Sequence, residues 1–377
     1  MEKLIQLVSD LVAINSINPN MDPNAPGELN IAHFISHWLE QAGLEVQLIE
    51  PVSGRPNVVG IARGKGGGNT LLLNGHMDTV GTGRTQNPHK PIIKDGRLYG
   101  RGAYDMKGGL AACMIAVAAA QNLHLRGDVV FTATVDEEYA SVGMQQLAKL
   151  FHADGAIIAE FTELDLILAH RGFAWFEIET LGRAAHGSRP DLGVDAIVKM
   201  GKILVKIEKL DQKLRSNPTH RLLGSGSLHA SVISGGEGLS TYPDRCVLSM
   251  ERRTLPGESL EMVETELLEI VREIQKQDSS FHAEIRRGFG RSPLETPMDA
   301  GIVTAVQSAA VKILNHPLAV AGVQYWSDAA LLSEVGIPSL LLGPSGSGAH
   351  AEEEWVNLSS VKTCADIYLE TALEFCS

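Results

Sequence analysis

The chain has 377 residues, which is long for one hydrophobic core and fits two domains or one domain carrying an insertion. Its hydrophobic content of 44% and charged content of 20% are ordinary for a soluble globular protein. The formal net charge of -13, with no stripe of Lys and Arg, argues against a nucleic-acid partner, because neutralising phosphates requires clustered cations.

The N-terminal segment predicts an amphipathic helix and no targeting signal. Glu2 and Asp10 interrupt the apolar run that a signal peptide requires. No stretch of about 18 apolar residues occurs, so we expect no membrane association. Four scattered cysteines without a C-x-x-C pair argue against a disulfide framework or a thiolate zinc site, so the expected location is the reducing cytoplasm.

The first part of the chain alternates predicted helices and apolar strands. Helices are predicted near the N-terminus and over residues 28–42, where Gly43 supplies a stop. A helix of Ala, Met, Ile, Val and Leu follows Asp105 and runs to Ala120, so we expect it to be buried. Apolar runs predict strands over residues 44–49, 57–62, 71–73, 128–135 and within 154–160.

From about residue 173 the pattern changes to strand, helix, strand, strand, helix, strand. This order predicts a small α+β sandwich inserted into the first domain, to which the chain then returns. We therefore predict one domain made of residues 1–173 and 293–377, and an inserted domain over residues 174–292. The predicted elements of the insertion are residues 175–181, 194–210, 228–233, 246–253, 258–275 and 281–287.

His76 and Asp78 follow the apolar strand of residues 71–73. Side chains two positions apart on an extended chain share a face, so both point the same way. This geometry suits a metal-binding imidazole with a carboxylate behind it. The carboxylate contacts one ring nitrogen and so determines that the other is free to bind the metal. Alone, however, the pair favours a hydrogen-bonded histidine at a polar strand end.

Further groups of the same kind follow other predicted strands. Asp105 stands at the entrance of the buried helix, where it is either an N-cap or a ligand among close-packed glycines. Three consecutive acids, residues 136–138, repel one another unless a cation or protons offset their charge; alone they favour a solvated loop. Glu160 and His350 each follow another apolar run, and open α/β sheets bind their ligands at such strand ends.

Collected together, these groups predict a metal site. Nitrogen and carboxylate donors without a thiolate suit zinc, or a neighbouring divalent ion such as cobalt or manganese. Two imidazoles and three carboxylates exceed the needs of one tetrahedral ion, so they divide over two ions with one bridging carboxylate and one acid left as a base. The candidate residues are His76, Asp105, Glu137, Glu138, Glu160 and His350.

Five segments of the chain together resemble the metal-site blocks of the M20 metallopeptidase family. That family includes acetylornithine deacetylase, succinyl-diaminopimelate desuccinylase, aminoacylase and glutamate carboxypeptidases. The resemblance implies an α/β, zinc-exopeptidase-like catalytic domain with a mixed sheet flanked by helices, and an inserted α+β, ferredoxin-like dimerisation domain. The five segments are residues 74–80, 100–109, 136–138, 160 and 348–350.

The resemblance also implies a role for each candidate residue of the metal site. His76, Asp105 and Glu160 resemble the ligands of one zinc ion, and Asp105, Glu138 and His350 those of the other, with Asp105 bridging. Asp78 is similar to the residue that orients the imidazole of His76. Glu137 resembles the general base that deprotonates the attacking water.

Two residues of the predicted insertion complete the set. A histidine in a Gly/Ser turn, such as His186, is usually only a turn residue. By resemblance, however, it reaches the site of the partner subunit in a homodimer and stabilises the oxyanion. Arg253 resembles an arginine that binds the substrate carboxylate, although the adjacent Arg252 leaves the register open.

The resemblance therefore implies a metal-dependent amidohydrolase that releases an acetyl-like acyl group from an N-acyl amino acid. A dipeptidase or carboxypeptidase would need the same two-metal site and the same carboxylate-binding arginine, so this alternative stays open. A dimeric binding protein on the same fold is disfavoured, because every expected ligand and the base are present.

Overall fold

The computed structural model describes residues 1–377, which fold into two compact units. The sequence places the division at residues 173/174 and 292/293, whereas the structure divides the chain at 168/169 and 295/296. Leu294 and Glu295 pair with His170 and Ala169, which is why these short segments belong to the second unit. Unit 1 consists of Met1–Leu168, Thr296–Ala321 and Ser327–Ser377, and unit 2 of Ala169–Glu295 and Gly322–Trp326.

Both units contain α-helices. The turn Ala103–Lys107, in which Asp105 and Met106 are not helical, leads directly into the third α-helix. The α-helices are α1 (Glu2–Ala13), α2 (Leu29–Gln41), α3 (Gly108–Ala120), α4 (Val142–Leu150), α5 (Ala196–Ser216), α6 (Leu260–Gln277), α7 (Gly301–Leu314), α8 (Ala329–Glu334) and α9 (Leu358–Phe375).

The strands form three sheets. Those of the first half are β1 (Glu45–Val52), β2 (Arg55–Ala62), β3 (Leu71–His76), β4 (Ile92–Lys94), β5 (Arg97–Tyr99), β6 (Val129–Thr134), β7 (Gly155–Ile158), β8 (Leu166–His170) and β9 (Gly172–Leu181). Those of the second half are β10 (Ser227–Gly235), β11 (Arg245–Thr254), β12 (His282–Arg291), β13 (Leu294–Glu295), β14 (Val320–Val323), β15 (Ser339–Leu341), β16 (Gly346–Ser347) and β17 (Trp355–Asn357).

The main sheet of unit 1 is mixed, with the strand order β1-β2-β6-β3-β7-β15-β8. Its centre is parallel: β3 pairs in parallel with β6 and β7, and β7 with β15. Every residue of β3, β6 and β7 is buried, as expected for parallel strands covered on both faces. The predicted α/β fold with a mixed sheet flanked by helices is confirmed. Helices that contact these strands are α2, α3, α4, α7, α8 and α9.

The apolar helix α3 is part of the core of unit 1. The segment Ala103–Ala120 is long and apolar enough to cross a membrane by length and composition, and 83% of it is buried within the fold. A buried core helix can have this length and composition without crossing a membrane. Gly109 lets the start of α3 approach β7, because a Cβ there would lie only 2.0 Å from the carbonyl oxygen of Ala159.

A small antiparallel sheet, with the order β16-β17-β5-β4, borders the loop that carries His350. Trp355 pairs with Tyr99, so the residues just before β17 lie beside those just after β5. Sequence periodicity missed this sheet because its strands have only two or three residues.

Unit 2 contains a four-stranded antiparallel sheet, with the order β10-β11-β9-β12. Alternate residues of β9 and β11 are buried, and they form one core with the apolar faces of α5 and α6. The strand β10 is an edge strand with a mostly exposed burial pattern. The role of unit 2 as a dimerisation domain stays a prediction.

Candidate metal centre

The carboxyl ends of three adjacent parallel strands bring the first group of candidate residues together. His76 is the last residue of β3 and lies opposite Thr134 of β6, two positions before Asp136. Its Nε2 lies 3.7 Å from Glu160 Oε1 and 4.0 Å from Glu137 Oε2. Ligand atoms of these three residues are close enough to share one metal ion.

Asp105 lies between the two imidazoles. Its Oδ1 is 3.1 Å from His76 Nε2, and its Oδ2 is 3.2 Å from His350 Nε2. His350 Nε2 is in turn 3.0 Å from Glu138 Oε2. One carboxylate oxygen therefore faces each histidine, which is the arrangement that a bridging ligand requires.

The electrostatics of this cluster reflect an excess of buried carboxylates. Burial and the neighbouring charge of Asp105 raise the pKa of Glu138 to about 7. Burial also raises the pKa of Glu160 to about 8 and moves the pKa of Glu137 well above its usual range. These carboxylates therefore need protons or a cation to offset their mutual repulsion.

The pKa values of the two histidines are raised as well. Although burial opposes it, the hydrogen bond to Asp105 and the charge of Glu160 raise the pKa of His76 well above its usual range. Hydrogen bonds to Asp105 and Glu138 raise the pKa of His350 to about 10. Imidazole nitrogen and carboxylate oxygen meet at this position, and this donor set fits zinc and its neighbours.

The carboxylate of Asp78 lies closer to the backbone of Glu137 and Glu138 than to the imidazole of His76. The partner of His76 Nδ1 is the backbone carbonyl of Asp78 at 2.9 Å, whereas the Asp78 carboxylate lies 3.6 Å away. That carboxylate instead accepts the backbone N–H groups of Glu137 and Glu138, each at 3.1 Å. Asp78 therefore fixes the turn that presents both glutamates.

Sequence reasoning missed the network behind this turn. Asn18 donates from Nδ2 to Asp78 at 2.8 Å and to Asp136 at 3.0 Å. Arg55 forms an ion pair with Asp136 at 3.0 Å and a second one with the buried Glu28. These residues lie far from the acidic turn in sequence, so no spacing pattern indicates the contact.

Asp328 is buried in unit 1. It accepts a hydrogen bond from Thr134 Oγ1 at 3.2 Å, and burial raises its pKa to about 7. Thr134 is the last residue of β6, so this further acid approaches the same strand ends.

His186 and Arg253 belong to unit 2. His186 lies in an exposed turn and contacts Ser188 Oγ through Nδ1 at 2.8 Å. Arg253 is half-buried, forms an ion pair with Glu251, and lies over the ring of Phe173 at 5.5 Å. The neighbouring Arg252 is buried and is paired with Glu258, so Arg253 is the more accessible of the two. The predicted roles of His186 and Arg253 stay predictions.

Two imidazoles and several carboxylates lie together at the strand ends of an α/β sheet. This arrangement is typical of metal-dependent hydrolases, in which one carboxylate beyond the metal ligands serves as a base. The family model described as peptidase family M20/M25/M40 matches residues 72–374. The chain belongs to this family, which confirms the resemblance seen in the sequence. It is therefore a hydrolase of amide or peptide bonds.

Similar proteins match over nearly their whole length. An acetylornithine deacetylase of Myxococcus xanthus is 30% identical, over 98% of this chain and 96% of that protein. An aminopeptidase of Bacillus cereus has the same fold, with a TM-score of 0.82, 21% identity, and coverage of 100% of this chain and 99% of that one. A dinuclear metal-binding peptidase of the M20 family from Bacillus subtilis gives a TM-score of 0.77, with 16% identity and coverage of 100% and 98%.

Proposed function

We propose that this protein is a two-metal amidohydrolase that releases an acetyl-like acyl group from an N-acyl amino acid. The observation that carries the proposal is the position of Asp105, with one oxygen 3.1 Å from His76 and the other 3.2 Å from His350. The full-length similarity to an acetylornithine deacetylase supports an acylated amino acid as the substrate class.

The two ions divide the ligands between them. We assign His76, Asp105 and Glu160 to one ion, and Asp105, Glu138 and His350 to the other. Donors of nitrogen and oxygen without sulfur favour Zn²⁺, with Co²⁺ and Mn²⁺ as alternatives. When bound, two divalent ions supply Lewis acidity that polarises the amide carbonyl and makes water a stronger acid.

Glu137 is the proposed general base. Its carboxylate accepts a proton from the attacking water while the water oxygen bonds to the amide carbon and the C=O π electrons move onto the carbonyl oxygen. The same carboxyl group then gives the proton to the amide nitrogen as the C–N bond breaks, so the products are a carboxylic acid and a free amine. The hydrogen bond from its backbone N–H to Asp78 holds Glu137 in place for both transfers.

Substrate binding is proposed to involve unit 2. We assign Arg253 to the α-carboxylate of the amino acid, because a guanidinium binds a carboxylate through two parallel hydrogen bonds. His186 is proposed to stabilise the oxyanion in the partner subunit of a homodimer. Both assignments rest on the resemblance to the family and on the accessibility of the two side chains.

The dimer is proposed to form through the edge of unit 2. Val232 and Ile233 of β10 are 64% and 51% exposed, and Val198 of α5 is 61% exposed. An exposed apolar edge strand is a template for pairing with another chain. We further propose a cytoplasmic location, which is supported by four buried cysteines that form no disulfide.

The test is release of free amine from N-acetyl, N-succinyl and N-formyl amino acids and from dipeptides, with added Zn²⁺ or Co²⁺ and a chelator control. Chelator-sensitive cleavage of acylated amino acids alone supports the proposal and identifies the acyl group. Cleavage confined to dipeptides contradicts it and assigns the protein to the peptidases of the family. No release by metal-loaded protein from any member of the panel also contradicts it.

A further inference from the structure

The carboxylate of Glu354 is buried directly behind the segment that carries Asp105. It is 4% exposed and accepts four hydrogen bonds. Its Oε1 accepts the backbone N–H groups of Tyr104 at 2.9 Å and Asp105 at 3.0 Å. Its Oε2 accepts the backbone N–H of Gly102 at 2.9 Å and Nη1 of Arg101 at 2.7 Å.

Three of these bonds are to backbone N–H groups, and they fix the backbone from which the Asp105 side chain projects. Gly102 has a positive φ of 79°, and a Cβ there would lie 2.7 Å from Thr79 Cγ2, so the turn depends on glycine. The N–H of Asp105 itself donates to Glu354. The position of the Asp105 carboxylate therefore depends on a side chain about 250 residues away in sequence.

The same residue joins this segment to the loop that carries His350. Glu354 lies between His350 and β17, and its carbonyl accepts the N–H of Gly100 at 3.1 Å. Arg101 donates to the Glu354 carboxylate through Nη1 and to the carbonyl of Ala351 through Nη2 at 2.8 Å. One buried ion pair thus connects the Asp105 segment with the residue that follows His350.

We propose that Glu354 is a positioning residue that holds Asp105 and His350 at a fixed separation before an ion binds. The inference rests on the proposed two-metal function, since these two residues are assigned to the same ion. A site whose ligands are ordered in advance loses less conformational freedom on binding, so its affinity is higher. Residues that orient ligands in this way typically contribute 10- to 100-fold in metal affinity.

The test compares Glu354→Gln with Glu352→Gln, an exposed glutamate on the same loop. A glutamine at 354 presents an NH₂ group to two of the four donors that Glu354 accepts, whereas the change at 352 alters only exposed surface. Isothermal titration of metal-free protein with Zn²⁺ alone should show a dissociation constant that is about 10- to 100-fold higher for Glu354→Gln. We expect Glu352→Gln to match the wild type within about twofold.

Thermal melting separates positioning from a purely structural role. If Glu354 is a positioning residue, a fixed concentration of Zn²⁺ should raise the melting temperature of Glu354→Gln less than that of the wild type. The reason is that ligand binding to the native state increases the free energy of unfolding with the logarithm of the affinity. A purely structural role predicts a lower melting temperature of the metal-free protein with an unchanged rise, and this result would overturn the proposal. Unchanged titration curves would overturn it as well.

A second variant keeps the proposal testable if Glu354→Gln does not fold. Arg101→Lys retains the charge but loses the planar guanidinium whose two nitrogens donate separately to Glu354 and to the Ala351 carbonyl, so it should weaken Zn²⁺ binding in the same direction. Unchanged affinity in Arg101→Lys would contradict the proposal. These measurements use no substrate, so a wild-type protein that binds two ions but releases no amine contradicts the proposed reaction and leaves the role of Glu354 standing.

Discussion

The backbone N–H of Glu137 donates to Oδ1 of Asp78 at 3.1 Å, so the carboxylate that follows β3 controls the turn that follows β6. In Asp78→Asn, one oxygen becomes an NH₂ group that faces backbone N–H donors. We expect kcat to fall about 10- to 100-fold, as is typical for residues that orient a metal site. Steady-state kinetics at saturating metal measure this, and Asp299→Asn, at an exposed position, serves as the control. A kcat for Asp78→Asn equal to that of the control would refute the assignment.

Glu137 and Glu138 are adjacent, yet they have different predicted roles. Glu137→Gln removes the proton acceptor, so turnover should fall by about 10²- to 10⁴-fold while two ions stay bound. Glu138→Gln removes a ligand, so one ion should be lost. Amine release together with metal content by atomic emission distinguishes the two variants. If Glu137→Gln kept most of its rate, Glu137 would not be the base.

Removing the metal should destabilise unit 1, because its buried carboxylates then repel one another without a cation. At a Zn²⁺ concentration 100-fold above the dissociation constant, binding adds about 2.7 kcal/mol to the free energy of unfolding. For a unit of this size, that corresponds to roughly 5–10 °C in melting temperature. Differential scanning calorimetry with a chelator and with Zn²⁺ measures the difference. If the melting temperature does not change on adding Zn²⁺, the protein does not bind the metal in its native state.

The proposed dimer predicts a specific effect at the edge of unit 2. Val232→Glu places a charge on the exposed side of β10, so we expect the dimer to dissociate while the monomer stays folded. Val311→Glu is the matched control, since Val311 is 45% exposed on α7 of unit 1. Light scattering after size-exclusion chromatography measures both. A wild-type protein that elutes as a monomer at micromolar concentration would argue against the dimer.

Two glycine substitutions should have opposite effects. Gly109→Ala would place a Cβ 2.0 Å from the Ala159 carbonyl, so α3 must move away from β7 and from Glu160 beyond it. We expect a loss of about 1–3 kcal/mol from overpacking. Gly201→Ala in α5 meets nothing within 4 Å and should stabilise by about 0.5–1 kcal/mol. Urea unfolding of both variants tests this, and equal stabilities would contradict it.

The sequence predicted that several candidate side chains lie together, because parallel strands end at one edge of a sheet. His76, Glu137 and Glu160 each follow an apolar run, and β3, β6 and β7 are adjacent and parallel. His350 was recognisable for the same reason, since it follows β15 in a glycine-rich loop. The order of the apolar runs was therefore sufficient to predict this proximity, whereas the role of each residue rests on the resemblance to the family.

The residues behind the ligands were not predictable in this way. The pair at positions 76 and 78 indicated a carboxylate against the imidazole, but the Asp78 side chain turns instead to two backbone N–H groups and Asn18. Glu354 was recognisable only as part of an acidic run. Three of its four partners are backbone donors about 250 residues away, and backbone donors leave no signature in the sequence.

The residues assigned as metal ligands come from two segments of unit 1, Met1–Leu168 and Ser327–Ser377, with most of unit 2 between them in sequence. His350 leaves the ribosome after Glu138 and after Ala169–Glu295. The site assigned to Asp105, Glu138 and His350 therefore cannot be assembled until all of Ala169–Glu295 and the segment up to His350 have been translated. Binding of the two proposed ions would have to follow the synthesis of His350, and until then Glu138 lacks the imidazole that it contacts in the folded protein.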